Sequence, residues 1–303
     1  MDWISGSTAA EGIHGTACWP GRRGDRAGSG IGRGIAAALA TAGSHAMVAD
    51  IDAAAARETA AQLAGTGVEA VAAECDVTDR EAVEALASKA WEHFGHVDIA
   101  VNNAGVFPPV RRAISIDERD ARWVLEVNLM GAWYGCSAFG RRFTEQGTPA
   151  HILNTGSEHS LGVAHAGAAF YTASKHALLG LSDVLRQELP DFIGVSILCP
   201  GMVATNLAGS ARHRPERFGG PEPQARPAST GLDPADIGRA AVEGIRRGDF
   251  YIVTHSPVRE IVAERAAEIL AAFDAQAPRY PGDEAIDTRA VMLRPRTSAE
   301  GRS

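Results

Sequence analysis

Cysteine is scarce in this 303-residue chain, which carries it at positions 18, 75, 136 and 199. These positions form no Cys-x-x-Cys pair and no metal-ligand spacing, so neither a disulfide framework nor a zinc module is predicted. Cys75 and Cys199 fall in apolar, strand-like runs, where reduced core cysteines are expected. His93 and His96 are three residues apart without an evident third ligand, which favours a solvated helix end over a metal site.

Positive charge is also in short supply. Lys and Arg number 29 against 37 Asp and Glu, which gives a net charge of −8 and a pI near 5.7. Nucleic-acid phosphates require concentrated Lys and Arg, and no basic stripe occurs, so a nucleic-acid partner is not expected. No apolar run is long enough to span a bilayer, and the N-terminus lacks a basic segment followed by an apolar run. We therefore predict a cytoplasmic protein with no membrane partner.

The stretch Tyr171-Thr172-Ala173-Ser174-Lys175 carries the clearest chemical pattern. Residues four apart share one face of a helix, and a lysine ammonium there would lower the pKa of the tyrosine, making it a usable general acid/base. Spacing alone does not distinguish this pair from a tyrosine and a lysine on any solvent-exposed helix. Its surroundings do, because residues 151–157 predict a strand that ends in a serine-bearing loop, and residues 194–201 predict another strand that ends in Pro-Gly.

Further motifs follow the same order along the chain. Asp76-Val77 comes after an apolar run, Asn102-Asn103-Ala104-Gly105 after another, and Asn128 lies in Val127-Asn128-Leu129. Together these motifs resemble those of the short-chain dehydrogenase/reductase family, from about residue 30 to residue 205, with weaker likeness to about residue 273.

The resemblance implies four catalytic roles. Tyr171 would act as the acid/base and Ser157 would orient the substrate oxygen. Lys175 would hold the nicotinamide ribose and tune Tyr171, and Asn128 would place a relay water.

The cofactor site has its own pattern. Glycines permit close backbone approach to a pyrophosphate, and a helix N-terminus attracts the anion, which Gly28-Ser29-Gly30-Ile31-Gly32 supplies. Asp50 ends the next predicted strand, where a carboxylate would bind the ribose hydroxyls and repel a 2′-phosphate, so NAD is preferred over NADP. Asp50 could instead cap the following helix, but Asp52 is better placed for that. The resemblance adds further cofactor contacts, at Ile51, Asp76, Val77, Asn102, Asn103, Ala104, Gly105, Pro200, Gly201, Val203 and Thr205, besides Tyr171 and Lys175.

Strands alternate with helices from residue 30 onward, which predicts an α/β fold: one doubly wound, Rossmann-like parallel sheet in a single domain with helices on both faces. One long helix is expected over 117–143. We assign residues 1–26 to an irregular segment, 27–274 to the dehydrogenase domain and 275–303 to a flexible tail. Residues 207–231 are rich in Arg, Pro and Gly, and their place after Thr205 favours a lid over a plain or disordered loop.

The N-terminus departs from the family pattern. An apolar strand ending in Thr-Gly should precede the glycine loop, but Asp25 and Arg26 stand where the threonine and first glycine belong. A missing or irregular first strand is therefore expected. One permitted back-translation of residues 21–26, shifted by one base, encodes Asp-Gly-Val-Val-Thr-Gly, so a frame-shifted segment is one hypothesis and a divergent N-terminus the other.

The favoured function is NAD-dependent interconversion of a secondary alcohol and a ketone. The alternatives are a catalytically impaired nucleotide-binding scaffold and a dehydratase or epimerase that reuses Tyr171. A mainly apolar pocket for a small alcohol or ketone is indicated by Leu161, Val163, Phe170, Met202 and Leu207. Aromatic side chains on the 117–143 helix, namely Trp123, Trp133, Tyr134 and Phe139, together with the family's habit of pairing helices, predict a homodimer or homotetramer.

Overall fold

The computed structural model describes residues 16–18, 30–222, 230–277 and 280–286. The chain forms two compact units, residues 1–259 and residues 260–303. The sheet and the candidate site both belong to the first unit. Among the described residues, no helix combines the length and apolarity that crossing a bilayer would require.

The first unit is built on a seven-stranded sheet in the order β3-β2-β1-β4-β5-β6-β7, with every neighbouring pair parallel. The strands are β1 (Thr16–Cys18), β2 (Ala46–Asp50), β3 (Ala70–Glu74), β4 (Ile99–Asn102), β5 (Ala150–Thr155), β6 (Ile193–Cys199) and β7 (Tyr251–Val253). The strand order reverses between β1 and β4, which creates a crevice at the carboxyl edge of the sheet. The predicted doubly wound, Rossmann-like fold is confirmed.

The expectation of a missing first strand is wrong. Residues 16–18 occupy the central position and pair with both neighbours, Cys18 lying opposite Val48 of β2 and Val101 of β4. The strand lies upstream of the place where the family pattern puts it, and the chain then has eleven residues, 19–29, before Gly30. A threonine, an alanine and a cysteine suit a position with sheet on both sides better than the Pro, Gly and Arg that follow. Residues 19–29 lie outside the described residues, and the frame-shift hypothesis stays untested.

Helices cover both faces of this sheet. They are α1 (Ile31–Thr41), α2 (Ala53–Ala64), α3 (Arg80–Phe94), α4 (Glu118–Leu125), α5 (Gly131–Gln146), α6 (Ala169–Glu188) and α7 (Pro234–Arg247), while α8 (Arg259–Gln276) lies almost wholly in the second unit. One buried cluster joins α1, α2 and α7 to the sheet, and another joins α3 and α5 to it. Asp52 caps α2, as expected, by accepting hydrogen bonds from Ala54 N (2.9 Å) and Ala55 N (3.2 Å).

Two glycines allow α1 and α7 to cross at close range. A Cβ on Gly238 would lie less than 3.0 Å from the backbone of Gly34, and a Cβ on Gly34 would clash equally with the backbone of Pro234. Because backbone cannot rotate away as a side chain can, this crossing requires glycine on both helices. The contact holds α7 against the helix that begins at the cofactor loop.

The predicted long helix is interrupted. Between α4 and α5 the residues Glu126–Met130 form a π-helical turn, and Asn128 lies within it. Such turns often occur at functional sites, where the extra residue redirects a side chain. Here the Asn128 amide bonds both backbone groups of Val106, accepting from its N–H (2.8 Å) and donating to its C=O (3.0 Å).

The segment from 203 to 232 is closed at its base. Val203 and Leu232 form an isolated parallel bridge, and Leu232 N donates to Met202 O at 3.0 Å. The segment contains short 3-10 helices at Leu207–His213 and Glu216–Phe218, and residues 223–229 lie outside the described residues. Buried Arg214 anchors the segment by ion pairs to Asp120 of α4 and to Glu222.

Candidate active site

A cavity of about 410 Å³ opens at the carboxyl ends of β4, β5 and β6. This is the edge where doubly wound sheets bind ligands, and the volume suits a small molecule. The cavity brings together most of the predicted site residues, with lining from Gly30, Ile31, Asn103, Gly105, Ser157, Tyr171, Lys175, Pro200, Gly201, Val203 and Thr205.

Ser157, Tyr171 and Lys175 form one compact group. Ser157 follows β5, and its hydroxyl accepts from His159 N at 3.3 Å and lowers the pKa of the neighbouring Tyr171 phenol. Lys175 lies one helical turn after Tyr171, with its Nζ 5.8 Å from the centre of the phenol ring. That ammonium donates to the backbone carbonyl of Thr155 at 2.7 Å, which fixes it beneath the tyrosine.

The electrostatics of this group differ from the expectation. Burial raises the pKa of Tyr171 to about 12, more than the Ser157 hydrogen bond lowers it. Burial likewise lowers the pKa of Lys175 to about 8. Both effects have one cause, since a low-dielectric environment disfavours each charged form. The expected lowering of the tyrosine pKa by the lysine therefore does not occur in the protein by itself, and Tyr171 is held as the protonated phenol at neutral pH.

Asn128 lies behind the cavity and supports it. Besides bonding Val106, its amide nitrogen donates to Ser174 Oγ at 3.2 Å, and Ser174 in turn donates to Tyr171 O at 2.7 Å. A Cβ on Gly105 would stand 3.7 Å from both Asn128 Oδ1 and Lys175 Nζ, so these groups converge on the loop after β4. The side chain of Asn128 thus fixes this loop relative to α6.

The residues that could hold a dinucleotide lie along one side of the crevice. Gly30 and Ile31 line the cavity where α1 begins, and in the described part of the chain no side chain caps this helix. A helix N-terminus at this edge of the cavity fits the predicted pyrophosphate position. Gly28 and Ser29 lie outside the described residues. Asp50 ends β2 and is buried, with its Oδ1 accepting from Asp52 N at 2.8 Å.

The other predicted cofactor contacts, Gly32, Ile51, Asp76, Val77 and Ala104, do not line the cavity in the described structure. Although burial alone would raise the pKa of Asp76, hydrogen bonds from Thr78 and Arg217 lower it. Arg217 also pairs with Asp76 Oδ2 at 3.0 Å, linking the 203–232 segment to the end of β3. Asn102, expected on the cofactor path, instead donates to Asn154 Oδ1 at 2.9 Å within the buried layer between β4 and β5.

Comparison with known proteins decides the family. The family model for short chain dehydrogenase matches residues 26–216. The chain belongs to the short-chain dehydrogenase family. It is 35% identical over 235 residues to the 1-deoxy-11-beta-hydroxypentalenate dehydrogenase of Streptomyces exfoliatus, covering 77% of this chain and 82% of that protein. It is also 32% identical over 293 residues to the C alpha-dehydrogenase of Sphingobium sp., covering 90% and 93%.

A solved structure agrees. A short-chain dehydrogenase/reductase from Burkholderia phymatum, crystallised in complex with NAD, superimposes with a TM-score of 0.78 at 30% identity, over 89% of this chain and 98% of that one. This short-chain dehydrogenase is accordingly an oxidoreductase that acts on CH–OH groups.

Several polar residues of the cavity escaped the sequence interpretation. The amide nitrogen and oxygen of buried Asn206 both lack a hydrogen-bond partner among the described residues, and Asn206 lines the cavity. Glu158, His159 and His165 form the wall beside Ser157. Their position in the sequence between Ser157 and Tyr171 was a signal, but which of these side chains face inward depends on the short 3-10 helix Glu158–Leu161.

The expected apolar lining is only partly present. Met202 and Leu207 line the cavity, together with Phe107, whose ring lies 4.8 Å from that of Tyr171. Leu161, Val163 and Phe170 do not line it, and Phe170 packs instead against the buried cluster around Trp123. The pocket of this dehydrogenase therefore combines an apolar side with a polar wall.

Proposed function

We propose that this short-chain dehydrogenase interconverts a secondary alcohol and a ketone by NAD-dependent hydride transfer, with Tyr171 as the general acid/base. The convergence of Ser157, Tyr171 and Lys175 on one cavity carries the proposal. A substrate oxygen placed against both hydroxyls would be oriented by Ser157 and exchange its proton with Tyr171.

The direction of proton transfer follows from the state of the phenol. In ketone reduction, protonated Tyr171 donates to the developing alkoxide, and Ser157 supports the same oxygen. In alcohol oxidation, the phenolate accepts the hydroxyl proton. Asn128 holds the loop and α6 in register and would also place the relay water. The nicotinamide, when bound, supplies or accepts the hydride.

The preference for NAD rests on Asp50. A buried carboxylate at the end of β2 would accept hydrogen bonds from ribose hydroxyls and repel the 2′-phosphate of NADP. The N-terminus of α1 would hold the pyrophosphate. We expect Thr205, which lines the cavity beside Val203, to contact the carboxamide. Higher kcat/KM with NADP than with NAD would contradict this assignment, and Asp50→Ser should narrow the difference between the two cofactors.

We propose a small, mainly apolar, hydroxyl-bearing substrate. The apolar side of the cavity supports this choice, and so does the likeness to the Streptomyces exfoliatus dehydrogenase, which is named for a hydroxy compound. A panel of secondary alcohols assayed with NAD would test it, and a clear preference for polyanionic substrates would contradict it.

The decisive variant is Tyr171→Phe. It removes the acid/base hydroxyl and should lower kcat by roughly 10²–10⁴-fold. Binding of NADH, followed by fluorescence, should be largely retained, because the aromatic ring stays. Tyr251→Phe is the matched control, since Tyr251 is half-exposed on β7 and does not line the cavity. Comparable turnover in wild type and Tyr171→Phe would refute the role.

The same titration separates the alternatives. Failure of the folded wild-type protein to bind NADH in this titration would favour the catalytically impaired scaffold. In a separate activity assay, steady accumulation of NADH with a secondary alcohol would exclude a dehydratase or epimerase.

We further propose a homodimer or homotetramer. Trp123 and Phe139 are fully buried within the fold, so the support narrows to Trp133, which is 37% exposed. Light scattering tests the assembly, and a monomer at micromolar concentration would count against it.

A further inference from the structure

Glu158, His159 and His165 form a cluster in the wall of the cavity. Each offers one ligand atom, and these atoms all lie within 4.8 Å of one another. Two imidazoles and a carboxylate are a ligand set used by zinc enzymes that keep one coordination position open. The cluster lies close to the proposed catalytic group, because the His159 ring meets the Tyr171 ring edge-on at 5.0 Å.

The cluster is held by the backbone around it. Glu158 N donates to Pro200 O at 2.8 Å, and the 3-10 helix that carries Glu158 and His159 is tied to α6 by Ser160 Oγ, which donates to Lys175 O at 2.8 Å. His165 begins a turn in which Ala168 N donates to His165 O at 3.2 Å. Glu158 and His159 are therefore held by a fixed backbone. His165 lies on a short connection, and its side chain is 57% exposed and can change its orientation.

The orientation of His159 suits a ligand. Its Nδ1 lies 2.7 Å from Thr172 Oγ1. When Nδ1 donates to that hydroxyl, Nε2 carries the lone pair, which is the arrangement found for metal-bound histidines supported by a second hydrogen bond. Thr172 belongs to the same helix as Tyr171, so α6 sets the ring that would bind the ion.

One of the three ligand distances already matches what an ion requires, and the others lie within 4.8 Å. Tetrahedral ligands at about 2.0–2.1 Å from zinc stand about 3.3–3.4 Å from each other. Glu158 Oε1 and His165 Nε2 already lie 3.3 Å apart. Rotation of the exposed His165 side chain would bring its ring nitrogen closer to the ligand nitrogen of His159.

We propose that Glu158, His159 and His165 bind a first-row transition-metal ion such as Zn²⁺, with the open coordination position facing the substrate cavity. An ion at this position occupies space beside Ser157 and Tyr171. It therefore competes with the alcohol, a consequence that rests on the proposed function, whereas the binding itself does not.

Binding is measured first, on untagged protein with neither cofactor nor substrate. Zn²⁺ is titrated by calorimetry, and Co²⁺ is added separately to follow the visible absorption of a four-coordinate site. We expect one equivalent of Zn²⁺ that is lost, or bound at least about 10-fold more weakly, in Glu158→Gln and in His165→Asn. Glu158→Gln keeps the side-chain shape, which guards against a folding defect in the other variant, and circular dichroism checks both.

His93→Asn is the matched control. It removes another His–Glu pair, His93 with Glu69 at 2.9 Å, which does not line the cavity. This variant should bind Zn²⁺ like wild type. Equal Zn²⁺ binding by wild type, Glu158→Gln and His165→Asn, or no binding by wild type, would overturn the site.

Kinetics then test the position of the ion. Zn²⁺ should raise the KM for the alcohol with little change in kcat, and the effect should be reduced in Glu158→Gln. Stoichiometric binding with an unchanged KM would overturn the placement in the substrate cavity. Absence of any turnover would refute the proposed dehydrogenase activity and leave the calorimetric result standing.

Discussion

Replacing Lys175 with methionine should change the pH dependence of stability as well as activity. The side chain is 3% exposed, and its burial lowers the pKa of the ammonium from 10.5 to about 8. In the unfolded chain the lysine regains its ordinary pKa. Between pH 8 and 10.5 the unfolded state therefore binds more protons than the folded state, and stability rises with pH across that window.

The magnitude follows from the two pKa values. A difference of about 2.5 pH units corresponds to roughly 3 kcal/mol, which burial of the charge costs the folded protein below pH 8. Lys175→Met removes that cost but leaves Thr155 O without its donor, a loss of about 1–3 kcal/mol. At pH 7 the variant should thus be nearly as stable as wild type or up to about 2 kcal/mol more stable, while its turnover falls.

Urea unfolding of the cofactor-free protein from pH 7 to 10.5 measures the effect. Wild-type stability should rise relative to Lys175→Met by up to about 3 kcal/mol across the window. Lys89 is the chain's other lysine and is exposed, so Lys89→Met should follow the wild-type curve. Parallel curves for wild type and Lys175→Met would refute the buried, low-pKa ammonium.

Two further predictions concern packing and the cavity. Gly238→Ala should destabilise the protein by about 1–3 kcal/mol, because the added Cβ meets the backbone of Gly34. Gly180 lies on the exposed side of α6 with nothing within 4 Å of an added Cβ, so Gly180→Ala should stabilise the protein by up to about 1 kcal/mol. Thermal unfolding of both variants checks the opposite signs, and equal shifts in Tm would contradict the close crossing of α1 and α7. Asn206→Leu should leave the stability of the free protein unchanged or raise it by about 1 kcal/mol, since the Asn206 amide lacks partners among the described residues. The same variant should weaken binding of the substrate or the cofactor by about 10-fold. Unchanged KM values for substrate and cofactor would argue against a binding role for Asn206.

The sheet and the meeting of Ser157, Tyr171 and Lys175 in one cavity could be predicted because their causes are local in sequence. Alternating apolar strands and amphipathic helices specify the layers, and the interval from Tyr171 to Lys175 is one helical turn wherever the helix lies. Asp52 was recognisable as a cap for the same reason. These features depend on neighbours in the chain, which the sequence displays directly.

The features that were mispredicted depend on distant contacts. The pKa of Tyr171 follows from how completely the fold buries it, and a motif carries no information about burial. The position of β1 depends on the pairing of residues 16–18 with β2 and β4, which a comparison of motifs along the sequence does not display. The π-helical turn at Glu126–Met130 is stabilised by Asn128 reaching Val106, twenty-two positions earlier, so helical periodicity alone predicted an unbroken helix.

The bridge between Val203 and Leu232 has a consequence for how substrate range could change. Because its two ends are clamped together, the intervening stretch is thermodynamically a closed loop, and doubling the length of a flexible loop costs only about 0.6 kcal/mol. Changes in the length of this stretch should therefore cost the sheet little as long as Arg214 and Arg217 keep their ion pairs, while residues at the start of the stretch still line the cavity. Loops of other lengths are therefore best grafted between positions 222 and 230, which leaves the ion pairs of Arg214 and Arg217 in place and offers a direct route to an altered substrate range.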